Sequence, residues 1–336
     1  MTYAEILRKA RENMNGKCKA CPVCNGQACR GVLPGPGGKG TGDGFVRAWQ
    51  KLQDIKVHMD TLYEEVSIDT SCEFFGKTFK YPFFAAPMAS ISIQYGEKYT
   101  PETYARAVLT GTQKAGTLAF TYSDGSDPKT HDPIKEVGGN GIPTVKPWPV
   151  EEVKRQFKLA EDAGCIAVAT DIDGAGLAMA QGHAMAVGPK SVAQMRELVE
   201  SVKIPVLVKG VMTPRAALGC IEAGAYGIVI SNHGGRVQDQ TPAPVEMLPA
   251  IADVAKGKIK IFIDGGIRSG IDVFKVLGLG ADGALIGRPY PTVVYGGDAE
   301  AVEFYTNMIG SQLCETMMMT ATPSLKDIDQ SKLFLG

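Results

Sequence analysis

The chain lacks an excess of either charge. It has 35 Lys and Arg against 36 Asp and Glu, a formal net charge of −1. That balance gives no support to nucleic-acid or anionic-membrane binding, and neither partner is expected. Long apolar runs are also missing, and none approaches the roughly 20 residues of a membrane span. Met1–Arg11 carries alternating charges without an apolar core, so it does not read as a secretory leader. A cytoplasmic protein is expected. Evenly spread cysteines are absent too. Of eight, four fall within Cys18–Cys29 and four are scattered. That grouping points to metal or redox chemistry before a disulfide scaffold.

With 336 residues, the chain can bury one large core and still carry an extension. Residues 1–60 read as an N-terminal Cys/Gly-rich arm and 61–336 as the main domain. Thr2–Asn13 is a short helix, with Thr2 as N-cap and Glu5 three residues on. Cys18, Cys21, Cys24 and Cys29 follow. Four thiolates in twelve residues can close on one zinc ion or one iron–sulfur centre. The alternatives are a group of reduced thiols, or a redox disulfide between Cys18 and Cys21. Leu33–Gly44 is too rich in glycine and proline for helix or central strand. It is either a linker or a lid whose N–H groups reach an anion. Phe45–Ile55 is predicted helical, and Tyr63–Phe79 a hairpin around Gly76-Lys77 that closes the bottom of a barrel.

From Tyr81 onward, strand and helix signals alternate. The expected strands are Phe83–Ala86, Thr117–Phe120, Ile142–Lys146, Ala167–Asp171, Val206–Lys209, Gly227–Ile230, Ile261–Asp264 and Ala284–Ile286. Helical stretches lie near Glu102–Ala115, Val150–Ala163, Ser191–Val202, Pro214–Ala223, Val245–Ala255 and Gly270–Leu279, with a last helix near Ala299–Thr320. Eight such units indicate an α/β protein with a (β/α)8 barrel, the structural rival being a doubly wound open sheet. Gly116, Gly164, Gly224 and Gly280 recur before strands as helix C-caps.

In a parallel barrel, chemistry gathers at the C-terminal ends of the strands. There the sequence places Lys209-Gly210, then Ser231-Asn232-His233-Gly234-Gly235-Arg236, then Asp264-Gly265-Gly266-Ile267-Arg268, then Gly287-Arg288. His233 is suited to proton transfer near neutral pH. Arg236 offers a planar fork for a carboxylate or phosphate. Glycines with Arg268 and Arg288 after the last two strands match the usual phosphate site of such barrels.

These ordered motifs resemble the FMN-dependent α-hydroxy acid oxidase and dehydrogenase family, which includes glycolate and lactate oxidases. The resemblance covers roughly Phe83–Leu325. It implies FMN as cofactor and oxidation of a small 2-hydroxy acid, lactate- or glycolate-like, to the 2-oxo acid. It further implies His233 as the base, Asp173 as the carboxylate that orients it, and Arg236 as the substrate-carboxylate ligand. Lys209 would face flavin N1 and C2=O. Asp264, Gly265, Gly266, Arg268, Gly287 and Arg288 would hold the ribityl phosphate, and Pro87, Met88 and Ala89 would lie along the ring. Ser123 and Ser231 would also contact the cofactor. A homo-oligomer, by analogy a tetramer, and an electron acceptor of unspecified kind belong to the same expectation.

The chain also departs from that pattern. Lys146 stands where the family has a substrate-binding tyrosine; it either takes over an anionic contact or faces solvent. An acidic Asp171 adjoins the flavin edge, where it needs protonation or a partner. No arginine follows Asp173, although His183 lies in that loop as a supplementary ligand or a surface residue. Two rival functions therefore remain. One is a flavin-dependent isomerase of phosphorylated or prenyl substrates; the other is a non-enzymatic flavin or metal sensor.

Overall fold

The computed structural model describes residues 1–123, 128–177 and 186–336. Eight parallel strands close into a barrel. They are Phe83–Ala85, Ala119–Ser123, Gly141–Val145, Val168–Asp171, Val206–Val211, Gly227–Ile230, Lys260–Ile263 and Gly283–Ile286, counted below as barrel strands one to eight. Strand one pairs with both strand two and strand eight, which closes the ring. This is the (β/α)8 architecture expected; the open-sheet rival is excluded.

Boundaries moved where local hydrogen bonds compete. Thr117 was expected to open strand two, but its N–H donates to the carbonyl of Thr112 and finishes the preceding helix. Strand two therefore starts at Ala119. Strand five runs past Lys209 to Val211 through an irregularity at Gly210. The final helix begins at Pro289, directly after strand eight, and spans Pro289–Met318 with a break at Gly297 and Asp298. The expected helix near Ala299–Thr320 is its second half.

Strand side chains alternate between two cores. Phe83, Ala85, Ile230 and Ile263 face the surrounding helices. Phe84, Ala169, Leu207, Val229, Phe262 and Leu285 fill the barrel interior. A hairpin closes the floor as expected, but it is shorter than Tyr63–Phe79: its strands are Cys72–Phe74 and Lys77–Phe79, turning at Phe75-Gly76. Its Phe74 ring lies 4.9 Å from Phe262 and its Phe79 ring 5.2 Å from Phe84. The floor is thus packed by aromatic rings, and the strands' cavity lies at the opposite end.

The N-terminal arm joins the same core. Thr2 and Glu5 form the expected capping box for helix Tyr3–Asn13. That helix buries Ile6, Leu7 and Ala10, and Tyr3 stacks on Tyr305 of the last helix at 5.7 Å. The second arm helix, Asp43–Asp54, starts two residues earlier than expected and takes the last residues of the glycine-rich stretch. It fits because Gly235 has no side chain: a Cβ there would lie 2.6 Å from the Phe45 nitrogen. Gly35 to Gly38 are buried rather than looping freely.

Candidate active site

Inward positions recur at every second residue, and this period carries the chemistry to the barrel mouth. Beyond Ala169 comes Asp171, beyond Leu207 comes Lys209, beyond Phe262 comes Asp264, and beyond Leu285 comes Gly287. All four line one cavity of about 370 Å³, together with Met88, Tyr122, Lys146, His233, Arg236, Arg268 and Arg288.

His233 sits in the turn after strand six with a positive φ of 57°, a backbone that a non-glycine residue adopts at some cost. Its N–H donates to Ser231 Oγ at 3.0 Å. Its Nδ1 lies 2.9 Å from Asp173 Oδ1. A carboxylate at Nδ1 keeps the proton on that nitrogen and leaves Nε2 as the acceptor, a tautomer assigned from the hydrogen-bond partner. Burial would raise the Asp173 pKa. The charge and hydrogen bond of His233, then Lys209 and Lys146, outweigh it and hold that carboxyl at about 2. Gly210 makes room for this pair, since a Cβ there would lie 2.5 Å from Asp173 Cγ.

Lys209 is buried, donates to Ser231 Oγ at 2.7 Å and pairs with Asp264 Oδ2 at 3.2 Å. Burial opposes its charge, but Asp264, Asp173 and Asp171 raise its pKa overall. Lys146 does not face solvent. It is buried and donates to Asp171 Oδ2 at 2.5 Å, so the acidic group at this edge is paired.

The glycine-rich stretch takes neither of its expected roles. It is a strap that presents carbonyls, not N–H groups, to the site. Arg236 Nη1 donates to Gly35 O at 2.6 Å and Gly37 O at 3.0 Å. Arg288 donates from Nε to Pro36 O at 2.7 Å and from Nη2 to Gly37 O at 3.0 Å, with its guanidinium 3.7 Å from the Phe45 ring centre. Arg268 Nε donates to Cys24 O at 2.8 Å. None of these three arginines forms an ion pair with a carboxylate among the described residues. Burial first, then neighbouring Arg288, lowers the Arg236 pKa to about 10. Among the described residues these guanidinium groups meet carbonyls and the Phe45 ring but no carboxylate, and a cluster short of negative charge suits anionic ligands.

Several expected contacts differ. Pro87, Ala89, Gly265, Gly266 and Gly287 line the cavity. Ser123 does not: it faces outward, its hydroxyl on Gln156 Oε1 at 3.2 Å, because strand alternation turns Tyr122 inward instead. Ser231 is a buried brace between Lys209 and the His233 backbone. Cys18, Cys21, Cys24 and Cys29 are all free. Among the described residues, the only His/Cys/Asp/Glu group whose ligand atoms lie within 4.8 Å of one another is Asp171, Asp173 and His233, so the four thiols are not drawn together as a ligand cage. His183 lies outside the described residues. Tyr95 and Trp148 also line the cavity, and neither carried a sequence signal, since an aromatic in a βα loop looks like ordinary packing.

Comparison with known proteins adds to this geometry. The profile of the FMN-dependent dehydrogenase family matches residues 36–181 and 175–335. An L-lactate oxidase from Lactobacillus jensenii is 31% identical over 293 residues, 79% of this chain and 71% of that protein. A peroxisomal (S)-2-hydroxyacid oxidase from Arabidopsis thaliana is 39% identical over 145 residues, 42% of this chain and 38% of that protein. A crystal structure of a mandelate oxidase variant carrying an FMN adduct superposes with a TM-score of 0.80 at 26% identity, covering 99% of both chains.

Proposed function

We propose a specific site reading from the premise that this chain belongs to the FMN-dependent dehydrogenase family, oxidoreductases that act on the CH–OH group of α-hydroxy acids. The substrate is a small lactate- or glycolate-like acid, the product the 2-oxo acid, and His233 the base. The observation that carries this reading is the His233–Asp173 contact at the mouth of the barrel, in one cavity with an arginine cluster that has no carboxylate partner among the described residues.

The residues fit FMN. Gly265, Gly266 and Gly287 line the rim with backbone alone, and Arg268 and Arg288 lie at the same end. Asp264 Oδ1 is buried without a hydrogen-bond partner, as an acceptor awaiting a donor would be. Arg268 and Arg288 would hold the phosphate, Lys209 the N1 and C2=O edge, and Pro87–Ala89 the ring. FMN, when bound, supplies the two-electron acceptor.

The other steps belong to the chain. Arg236 keeps Nε and Nη2 for a carboxylate while Nη1 is tied to the strap. Lys146 is the second candidate contact for the acid. His233 Nε2 takes the substrate hydroxyl proton, and Asp173 stabilises the imidazolium that results. This proton-accepting pair is what the isomerase reading leaves without a role.

Three finer readings accompany this one. The arm thiols Cys18, Cys21, Cys24 and Cys29 would bind zinc or an iron–sulfur centre. Four reduced thiols in twelve residues support this, as does the left-handed Gly26 (φ 84°), which turns the chain after Cys24. Burial pushes the Cys18 thiol up to about 11, so a metal would have to displace its proton and draw the set together. The protein would be a cytoplasmic homo-oligomer, a tetramer by analogy; no helix among the described residues is long and apolar enough to cross a membrane. The test of the main reading is a screen of 2-hydroxy acids under nitrogen for reduction of the bound flavin.

A further inference from the structure

The catalytic imidazole faces two carboxylates. Asp173 is in hydrogen-bond contact, and Asp171 Oδ2 lies 3.9 Å from the same Nδ1. That oxygen is also the one Lys146 holds at 2.5 Å. Asp171 therefore stands between an ammonium and an imidazole, buried, with its second oxygen Oδ1 unpartnered.

Asp171 has no structural reason to be charged. A buried ion pair is at best weakly stabilising, and an apolar pair of similar volume would pack as well. The backbone puts it there through register: Asp171 ends strand four opposite Lys209 of strand five, and Lys146 follows strand three on the other side. The charged groups around the imidazole are Lys146 after strand three, Asp171 from strand four and Asp173 from the turn beyond it. Lys209 from strand five and Asp264 after strand seven belong to the same group, and Arg236 and Arg288 line the same cavity, Arg288 donating to the Gly234 carbonyl beside His233.

We propose that Asp171 is a second positioning carboxylate on His233, and that Lys146 sets how strongly it acts. Asp173 fixes the tautomer by direct contact. Asp171 adds a longer-range pull on the imidazolium, and Lys146 draws part of that charge away. The pair thus sets the pH at which the base becomes available, without touching the reacting carbon. The inference rests on the reading of His233 as the base.

The test uses the FMN-loaded enzyme and its D171N, K146M and double variants. Two quantities are read: the acid limb of kcat/KM with pH, and the NMR titration of the His233 ring, assigned by difference from H233A among only four histidines. D171N removes a negative charge and should move both midpoints down by about one pH unit. K146M frees the carboxylate and should move both up by a similar amount. D171N/K146M should return close to wild type. If one single variant fails to fold, the other and the double variant still fix the sign. Midpoints that stay at the wild-type value in every folded variant, even with slower turnover, would overturn the proposal. The NMR titration also separates two failures: absence of any substrate would defeat the proposed function, while the coupling of Asp171 to the ring would still be measured.

Discussion

The guanidinium of Arg236 donates to the carbonyl oxygen of Gly35 at 2.6 Å, joining a loop at the barrel mouth to the N-terminal strap. One Arg236 nitrogen is thereby used to aim the others. Lysine cannot do both, because its ammonium is a single point of charge on a flexible stem. Arg236→Lys should lower kcat/KM for the 2-hydroxy acid by about 30- to 150-fold, the loss of a charge-assisted hydrogen bond worth roughly 2–3 kcal/mol. The loss should appear mainly in KM, measured by steady-state kinetics. An unchanged KM would remove Arg236 from the substrate.

Gly210 makes a second prediction possible. A methyl group there meets the Asp173 carboxyl, and its φ of 95° suits glycine alone. Gly210→Ala should keep FMN, since no phosphate contact is touched, yet slow flavin reduction about 10²-fold or more by displacing Asp173 from His233. Rapid-mixing measurement of the reduction rate decides it; a wild-type rate would mean that Asp173 does not position the base.

The depressed Asp173 pKa has a sign that can be checked. Its folded value of about 2 lies below its ordinary value of 3.8. Ionised Asp173 therefore contributes stability that is present above 3.8 and is lost as pH falls toward 2. Denaturant midpoints should fall across that window for wild type and fall less for Asp173→Asn. Equal slopes would show that the carboxylate is not held by His233 in the folded state.

Metal content tests the arm. Purified protein should carry about one zinc or one cluster per chain, by the four-thiolate count, and replacing Cys18, Cys21, Cys24 and Cys29 with serine should abolish it. A metal-free protein with full activity would reduce the four thiols to structural residues.

Much of this site was legible in the sequence because barrel strands announce themselves. Short apolar runs alternate with helices, and period-two alternation then sends Lys209 and Asp264 to the mouth. The same period explains the Ser123 difference: a strand placed by one residue turns every side chain to the other face. What could not be read was contact between distant backbones. The Gly35–Gly37 carbonyls carry no side-chain signal, so a strap seated on Arg236 and Arg288 looks like a linker. Lys146 and Asp171 were both visible as unusual residues. Their pairing depends on the register between strands three and four, which is set by the closed ring and not by either segment alone.

In the proposed reaction His233 accepts the proton while bound flavin accepts the electrons of a 2-hydroxy acid. This is tested most directly by mixing the FMN-loaded protein with L-lactate or glycolate without oxygen and following the visible flavin absorbance. Wild type should bleach, and His233→Ala, retaining its flavin, should bleach about 10²- to 10⁴-fold more slowly. Bleaching at the wild-type rate in His233→Ala, or no bleaching of wild type by any 2-hydroxy acid, would contradict it.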